Sequence, residues 1–469
     1  MTKVRSHILL LALLLSLCSC EDYLNTIPRG KTVPSTVEEL EWLLRDMQRM
    51  AYGTVNTNFM GDEIYVNDLV YRTHNFTRPF LKGYGGYRTL YSANENDWDW
   101  SRLYQQIWTT NYVLEKIDDA PLDGKTELER KNIRGEALAA RATAYFLLVN
   151  VYAKQYDPLS ASTDLSVPIV TATNLDQETP RATVEDVYNF IEGDLEEAET
   201  LLFEQVPPPV SYHFSKAGIY GLRARIALFK SAWVEALDYA IKAYDLKNNL
   251  WDYNDYQADY ENYISGLDNI TFPDVRDRLR GAEPDNEEIV LLRKNGWVFS
   301  NRYIPDWVNY FDDDFASLFA PDDLRLRFFA ELDSESGRYA YLMTTSALQG
   351  IGVPELMLTM AEVHARQQNL EEAMALINQL RINRIDTLTY APLTAGTPDE
   401  ALEIVLLERR KEMMFTGLRW YDIRRLIATG DFTQAIERTV DGIEVYITAD
   451  VENYILELPE DIKSLNSNY

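Results

Sequence analysis

The chain has 469 residues, of which 46% are hydrophobic and 25% charged. It is therefore long enough to bury one large core or two domains, and its composition is not that of a disordered protein. Acidic residues outnumber basic ones by 74 to 45, and the resulting net charge of −29 argues against nucleic-acid binding.

The N-terminal residues have the pattern of a secretory signal peptide, 1–19, followed by a lipid attachment site at Cys20. Lys3 and Arg5 precede an apolar run, 8–17, which is too short to span a bilayer. A small residue directly before the cysteine looks like the lipobox of a bacterial lipoprotein, in which the cysteine is acylated and becomes the first residue of the mature chain. A soluble secreted protein with a stray cysteine is the alternative.

Cleavage before Cys20 removes two basic residues and leaves 43 basic and 74 acidic ones, a net charge of −31. The remaining cysteine carries the lipid, so packing alone must hold the fold. The charge argues against a polybasic grip on anionic lipid, which leaves the acyl chains as the anchor. The pair Glu21 and Asp22 resembles the outer-leaflet export signal of Bacteroidetes-type lipoproteins, and 20–34 is predicted to be a tether.

A helical region interrupted by one irregular excursion is predicted for 35–247. The opening Ser-Thr-Val-Glu-Glu run predicts a helix over 35–50. Further helices are predicted over 101–117 and, rich in alanine, over 127–151. The excursion at 53–100 is rich in Gly, Asn and Tyr and lacks a sustained period, which in so long a segment usually marks function.

Two later segments, starting at 214 and 354, have the small-residue spacing of tetratricopeptide helix pairs. The contact alanines, twelve apart in each, are Ala224 and Ala236, and Ala361 and Ala373. Each such pair leaves an apolar face that only a neighbouring pair can cover. Segments 101–153 and 183–204 look like degenerate versions. The sequence therefore predicts a mostly α fold of tetratricopeptide-like repeats, with about four helix pairs.

The segment 248–350 does not follow this period and is predicted to form an irregular, loop-rich subdomain with minor short strands. Residues 288–292 are a candidate strand, and 296–319 is aromatic and loop-like. The remaining residues, 351–469, are predicted to contain the last repeat and a short edge strand at 442–447.

A dense group of charged and aromatic residues occupies 401–426. Apolar spacing predicts an amphipathic helix up to Phe415, and Gly417 ends it. Because guanidinium groups pair with carboxylates and stack on aromatic rings, we interpret the charges as a partly buried ion network that joins two helices at the turn, rather than a solvated helix surface. Catalytic use of Glu412 or Asp422 is disfavoured, since carboxylates neutralised by arginine stay ionised. The proposed network comprises Glu408, Arg409, Glu412, Arg419, Asp422 and Arg424.

Several strings resemble signatures of the SusD/RagB family of outer-membrane nutrient-binding lipoproteins. The C-terminal signature is matched by Glu408-Arg409-Arg410-x-Glu412 and Gly417-x-Arg419-Trp420-x-Asp422-x-Arg424-Arg425. RGEALAARATAYFLLVNVYAKQYD, at 134–157, resembles the N-terminal signature, and 167–170 matches the short extended piece that follows it. Two details depart from the family's pattern. The glycine that usually follows the tyrosine of the N-terminal signature is absent, and Asn466-Ser467 replaces the usual Asn-Pro of the final segment.

The resemblance implies a lipid-anchored, cell-surface outer-membrane protein that carries out no reaction. It would bind a nutrient, usually a glycan, and cap a SusC-like, TonB-dependent transporter through which the nutrient enters. The helical repeats would hold the transporter, and the irregular loops would meet the ligand. A peptide ligand is an open variant, because acidic loops with tyrosines suit either.

Binding a carbohydrate requires flat aromatic faces with amides and carboxylates at their rim, presented by loops on a rigid scaffold. Segments 83–100 and 297–310 have that composition. Most of the 9 Trp, 30 Tyr and 17 Phe must nevertheless form the core. If Trp100 opens the following helix, it belongs to that core. The candidates are Tyr84, Tyr87, Arg88, Asn94, Trp98, Trp100, Trp297, Tyr303 and Trp307.

Enzyme and metal signatures are mostly missing. The mature chain keeps three histidines without an HExxH motif, and its cysteine is lipidated. The acidic clusters 312–314 and 285–288 lack the EF-hand spacing, which favours solvated loops over calcium sites. We assign no catalytic residue, metal or cofactor. A surface hydrolase with a carboxylate pair and a repeat scaffold without a small ligand are the alternatives.

Overall fold

The computed structural model describes residues 33–50, 53–74, 79–174, 179–204, 213–267, 271–281, 286–294, 309–342 and 348–465. The signal peptide, Cys20 and most of the tether lie outside these ranges. Within them, no helix combines the length and apolarity needed to cross a membrane.

Helices dominate the fold. Those of the first half are α1 Val37–Arg45, α2 Met47–Met50, α3 Asp68–His74, α4 Phe80–Tyr84, α5 Trp98–Lys116, α6 Glu127–Tyr152, α7 Val184–Leu201, α8 Lys216–Phe229 and α9 Trp233–Leu246. Those of the second half are α10 Gln257–Ile264, α11 Thr271–Arg280, α12 Asp313–Ala316, α13 Leu324–Phe329, α14 Val353–Arg366, α15 Leu370–Arg381, α16 Pro398–Glu412, α17 Arg419–Thr429 and α18 Glu460–Leu465.

The strands are short. They are β1 Ile64–Tyr65, β2 Leu165–Pro168, β3 Arg181–Thr183, β4 Ile289–Leu291, β5 Tyr310–Phe311, β6 Ala330–Leu332, β7 Tyr339–Tyr341, β8 Ile351–Gly352, β9 Ile436–Val440 and β10 Ile443–Ile447. One sheet has four strands in the order β1-β5-β7-β6, and the pairs β9–β10, β2–β3 and β4–β8 form the others. The predicted fold class, mostly α with tetratricopeptide-like repeats, is confirmed.

Helix pairs form the core. α5 packs on α6, α8 on α9 and α14 on α15, while α16 follows on α14. The contact alanines Ala224, Ala236, Ala361 and Ala373 are fully buried, as the spacing predicts. The pairing predicted within 183–204 is wrong. A capping box of Thr183 and Asp186 starts one uninterrupted helix, α7, and this helix packs on α6.

Three predicted boundaries differ in the structure. The helix expected from residue 101 begins at Trp98, because the Asp97 carboxylate accepts hydrogen bonds from the backbone nitrogens of Asp99 and Trp100. The helix expected over 35–50 is divided at Asp46 into α1 and α2. The helix expected to reach Phe415 ends at Glu412.

The irregular subdomain has its own aromatic core, separate from the core of the repeats. Its four-stranded sheet includes β1, which comes from the excursion at 53–100 and pairs with β5. The predicted edge strand at 442–447 is half of a hairpin, because β9 pairs with it in register. Asp441 and Gly442 form the tight turn, with φ of 53° and 75°, as such hairpins require.

Candidate ligand-binding site

Within the predicted ligand segment, 83–100, residues 85–97 form a loop that lies against the β9–β10 hairpin. Gly86 has a φ of 81°, a left-handed conformation that favours glycine, and a Cβ placed there would stand 3.1 Å from a Val445 methyl. Tyr87 is 59% exposed and Asn94 is exposed as well. Arg88 is partly buried and donates a 2.6 Å hydrogen bond to the carbonyl of Glu452. These three side chains of the loop are therefore at least partly accessible to solvent.

Two predicted ligand residues belong to the interior instead. Tyr84 is 2% exposed and Trp100 is 5% exposed. Trp100 lies in the first turn of α5 and packs edge-on against Tyr152, with ring centroids 5.1 Å apart. Trp98 is half-buried and lies 6.1 Å from the Phe80 ring. Because their burial leaves no free ring face, we remove Tyr84 and Trp100 from the ligand candidates.

Buried carboxylates hold the base of this loop. Asp99 accepts hydrogen bonds from the backbone nitrogens of Val55 and Asn56 at 2.9 and 2.8 Å. Asp97 accepts bonds from the Tyr152 hydroxyl and the Asn56 amide at 2.8 and 2.9 Å. Burial, helped by the neighbouring charge of Asp97, raises the pKa of Asp99 to about 7. These bonds tie residues 53–56 to α5 and give the loop a fixed base.

The second predicted aromatic patch cannot be placed. Trp297, Tyr303 and Trp307 lie outside the described residues, as does Cys20. Their roles remain predictions from the sequence.

A cleft of about 620 Å³ opens between α10, α13 and the β6–β7 hairpin, and we call it the tyrosine cleft. Its volume falls in the range typical of small-ligand sites. Three tyrosines, one arginine, two carboxylates and a group of apolar side chains line it. The lining residues are Tyr260, Tyr263, Ile264, Gly266, Ala320, Pro321, Asp323, Leu326, Arg327, Phe328, Ala330, Glu331, Leu332, Tyr339 and Leu342.

A rigid aromatic layer supports these tyrosines. The Phe272 ring is buried and lies 5.2 Å from Tyr260 and 5.7 Å from Tyr263. On the opposite wall, Leu332 and Tyr339 are directly paired across β6 and β7, so their side chains share one face of the hairpin. All three tyrosines are half-buried, which leaves part of each ring accessible. The cleft thus presents preformed aromatic surface.

Some of the charged side chains that line the cleft form ion pairs with described residues, and others do not. Arg327 forms an ion pair with Glu261, lies 3.7 Å from the Asp386 carboxylate and stands over the Tyr260 ring at 5.1 Å. Asp323 is paired with the buried Arg325 at 2.7 Å. Glu331 is exposed and forms no ion pair within the described ranges. The cleft therefore has spare hydrogen-bond acceptors but no spare cation among these side chains.

No local pattern in the sequence indicates this cleft. Its lining comes from three short stretches, 260–266, 320–332 and 339–342, and each contains only two aromatic residues. They meet because β6 pairs with β7 and α10 packs beside them, which no local periodicity reports. The exposed Ile264 and Leu332 mark an apolar rim, but exposure is visible only in the structure.

The ion network at 401–426 is buried and larger than predicted. Arg409 and Asp422 join α16 to α17 at 2.8 Å, and Arg425 pairs with Asp422 at 2.7 Å. Glu412 pairs with Arg325 at 2.9 Å and with Arg384 at 3.0 Å. Further pairs join Glu408 to Arg325, Arg425 to Glu362, and Arg419 to Asp62. The network therefore ties the C-terminal signature to α13, α14 and the β1 segment.

Arg424 is the exception among the six predicted members. Its Nη2 donates to the Ala153 carbonyl at 2.7 Å, and it forms no ion pair within the described part of the chain. Burial lowers the pKa of Arg424 to about 10. The sequence also missed Arg325, Arg384 and Glu362, because these partners lie far along the chain from the signature.

The carboxylates of the network stay ionised. Burial alone would raise the pKa of Glu412, but Arg384 and Arg325 hold it at about 2. Arg409 and Arg425 likewise hold the pKa of Asp422 at about 2 against the effect of burial. Such groups are poor proton donors near neutral pH. Among the residues that the structure describes, no group of three or more His, Cys, Asp or Glu could hold a metal ion.

The fold and the cleft define a class: a mostly helical repeat protein with an aromatic-lined groove in an irregular subdomain. Two family models match the chain. A SusD-like family described as starch-binding and associating with the outer membrane matches residues 22–228, and the SusD family model matches 353–461. The chain belongs to the SusD/RagB family.

Individual relatives agree with this assignment. A SusD-like protein from Formosa agariphila is 22% identical over 380 residues, which cover 70% of this chain and 71% of that protein. A crystal structure described as a sugar-binding protein from Bacteroides vulgatus has a TM-score of 0.70 at 21% identity, covering 93% and 98% of the two chains. A SusD superfamily protein from Bacteroides thetaiotaomicron has a TM-score of 0.70 at 20% identity, with 92% and 98% covered. At these identities the structural likeness establishes the fold.

Proposed function

We propose that this protein is a cell-surface lipoprotein, anchored through Cys20, that binds an oligosaccharide and passes it to a SusC-like, TonB-dependent outer-membrane transporter. The tyrosine cleft is the observation that carries this proposal. Solved relatives described as sugar-binding or carbohydrate-binding support it, as does the family description that mentions starch and the outer membrane. On this proposal the protein binds and hands over its ligand without chemical change.

Binding would use stacking and hydrogen bonds. The accessible faces of Tyr263 and Tyr339 suit the C–H faces of sugar rings, and the apolar rim at Ile264 and Leu332 would exclude water from them. Burial raises the pKa of Tyr260, so its hydroxyl stays neutral and can donate a hydrogen bond. Glu331 can accept bonds from sugar hydroxyls.

Tyr87, Arg88 and Asn94 would form a second contact surface. Their loop is fixed by the β9–β10 hairpin and by Asp99, as a preorganised binding loop requires. The helical repeats would offer the transporter a rigid surface. A peptide ligand remains the main variant, because tyrosines with acidic neighbours also suit peptides.

Calorimetric titration of the purified protein against a panel of oligosaccharides and peptides tests ligand binding. We expect an oligosaccharide to bind, and Tyr263→Ala and Tyr339→Ala to weaken it each by about two- to tenfold, the range for loss of an aromatic contact. Tyr446→Ala is the matched control, because this tyrosine is 65% exposed and does not line the cleft. Unchanged affinity in both cleft variants would contradict the site.

Two further measurements test the rest of the proposal. Product analysis of the same mixtures should show intact oligosaccharide, whereas turnover that disappears on mutating one carboxylate pair would support a hydrolase. Labelled fatty acid should be incorporated in cells by the wild-type protein but not by Cys20→Ala. Co-purification of the transporter with the wild-type protein would support the partnership.

A further inference from the structure

We propose that the tyrosine cleft selects its ligand by charge: it favours sugars that carry a protonated amine, accepts neutral ones and rejects uronic and sulfated ones. This inference rests on the proposed function and adds the chemical class of its ligand. It follows from the charges around the aromatic rings.

An anionic sugar needs a basic side chain with free donors in the cleft. A sugar carboxylate or sulfate is normally neutralised by an arginine or lysine with free donors. Arg327 is the one basic residue among the described lining side chains. Its guanidinium is already held by the carboxylates of Glu261 and Asp386, donates a hydrogen bond to the Gln257 amide oxygen at 3.3 Å and covers one face of Tyr260. An anionic sugar would have to break these contacts to obtain a cation.

Carboxylates at the cleft would repel an anionic sugar. Glu331 lines the cleft, is exposed and forms no ion pair with any described residue. Burial is the main reason that the pKa of Tyr260 is raised, and the charges of Glu261 and Glu331 raise it further, against Arg327. Both carboxylates therefore act on the same ring. A second anion placed there would be repelled by them, and the net charge of −29 adds to the repulsion at long range.

The same side chains would attract a ligand that carries an ammonium group. An ammonium group is stabilised over the face of a tyrosine and by a nearby carboxylate. Tyr263 offers a partly exposed ring face, and Glu331, which lines the same cleft and whose charge acts on the nearby Tyr260, offers the carboxylate. A neutral sugar gains stacking and hydrogen bonds, and an amino sugar gains the attraction between opposite charges as well. An exposed ion pair contributes about 0.2–1 kcal/mol, which corresponds to a preference of about 1.4- to fivefold.

Three oligosaccharides of equal length and one backbone test this order. A cello-oligosaccharide, a deacetylated chito-oligosaccharide and a uronate made by oxidising the cello-oligosaccharide differ in carrying a hydroxyl, an ammonium or a carboxylate. If the panel shows tighter binding of another backbone, its amine and carboxylate derivatives replace them. Titrations at about pH 5.5, above the usual carboxyl pKa of about 4.3, keep the carboxylates and amines charged.

We expect the amine to bind about 1.4- to fivefold more tightly than the neutral oligosaccharide, and the uronate to bind more weakly by a similar factor. The preference should shrink as salt is raised from 0.01 to 1 M, which shortens the Debye length from about 30 to 3 Å. Glu331→Gln should remove the preference, so that the amine and the neutral oligosaccharide bind with equal affinity. Glu335→Gln deletes the same charge from the β6–β7 turn, outside the cleft lining, and should keep the preference.

The two proposals fail in different ways. Equal binding of all three ligands, or tighter binding of the uronate, overturns the charge selection but leaves the proposed glycan binding intact. An amine preference that survives Glu331→Gln also overturns the assignment to this cleft. Failure of every oligosaccharide in the panel to bind overturns the proposed function and this inference with it.

Discussion

The carboxylate of Glu63 accepts a hydrogen bond from the backbone nitrogen of Phe415 at 3.1 Å. Phe415 has a φ of 57°, a left-handed conformation that is uncommon outside glycine. It lies in the turn between α16 and α17, whereas Glu63 directly precedes β1. One buried carboxyl group therefore connects the irregular subdomain to the turn at the centre of the family signature.

This relationship makes stability depend on pH. Burial raises the pKa of Glu63 to about 8 from its usual 4.5, against the opposing effect of Arg419. Because the folded state binds this proton more tightly than the unfolded state, the stabilisation is complete below pH 4.5 and is lost as pH rises through 8. We expect the free energy of unfolding to fall by a few kcal/mol over this window, at about 1.4 kcal/mol per unit of pKa shift.

Urea unfolding of the wild type and Glu63→Gln between pH 5 and 9 measures this loss. The variant keeps an acceptor for the Phe415 nitrogen but cannot ionise, so its stability should be flatter with pH. Glu335→Gln, at an exposed turn, should follow the wild type. If the Glu63→Gln and wild-type curves run parallel, the buried carboxyl group is not the cause.

The ion pairs between α16 and α17 should contribute strongly to the free energy of unfolding. Asp422→Asn removes the charge that Arg409 and Arg425 share, and leaves two buried guanidinium groups undercompensated. Breaking a buried pair in this way costs about 3–5 kcal/mol. The midpoint of urea unfolding should fall accordingly.

An exposed pair provides the comparison for this variant. Asp238 and Lys242 are one helical turn apart on α9, and both side chains are about half exposed. Asp238→Asn should cost about 0.5 kcal/mol or less. Similar losses in Asp238→Asn and Asp422→Asn would show that the network at the signature is no more than a surface feature.

Local patterns explain which parts of the fold the sequence predicts. Ala361 and Ala373 belong to two consecutive helices, so their spacing alone indicates the hairpin of α14 and α15. Contacts between segments that lie far apart in the sequence leave no such local pattern. Tyr260 and Tyr339 meet in the cleft only after β6 has paired with β7, and Arg384 reaches Glu412 from a separate helix end. Residue types near the signature predict an ion network but cannot name such partners.

The ligand loop shows the same limit at shorter range. Composition marks 83–100 as a binding segment, yet it does not separate rings that face solvent from rings that face inward. That separation follows from Asp97, whose carboxylate starts α5 at Trp98 and so directs Trp100 into the core. Tyr87 stays outside because its loop rests on the β9–β10 hairpin through Gly86.

Substitutions at these two positions should therefore separate stability from binding. Trp100→Ala removes a buried ring and should lower the free energy of unfolding by about 3–5 kcal/mol. Tyr87→Ala should change it by less than about 0.5 kcal/mol, since the ring is exposed. If this loop contacts the ligand, Tyr87→Ala should weaken oligosaccharide binding by about two- to tenfold. A large loss of stability in Tyr87→Ala would contradict the placement of this ring.

Two glycines should respond to alanine in opposite directions. A Cβ on Gly350 would stand 1.9 Å from the Leu291 carbonyl oxygen, a backbone atom that cannot move aside without disturbing β4. A Cβ on Gly193, within α7, would meet no atom within 4 Å. Gly350→Ala should therefore destabilise the fold by several kcal/mol or prevent folding, as overpacking against backbone does. Gly193→Ala should stabilise it by about 0.5–1 kcal/mol, because alanine favours the helix and restricts the unfolded chain.

Urea unfolding of both variants beside the wild type measures the difference in the free energy of unfolding. A stabilised Gly350→Ala protein would show that β4 does not approach residue 350 this closely.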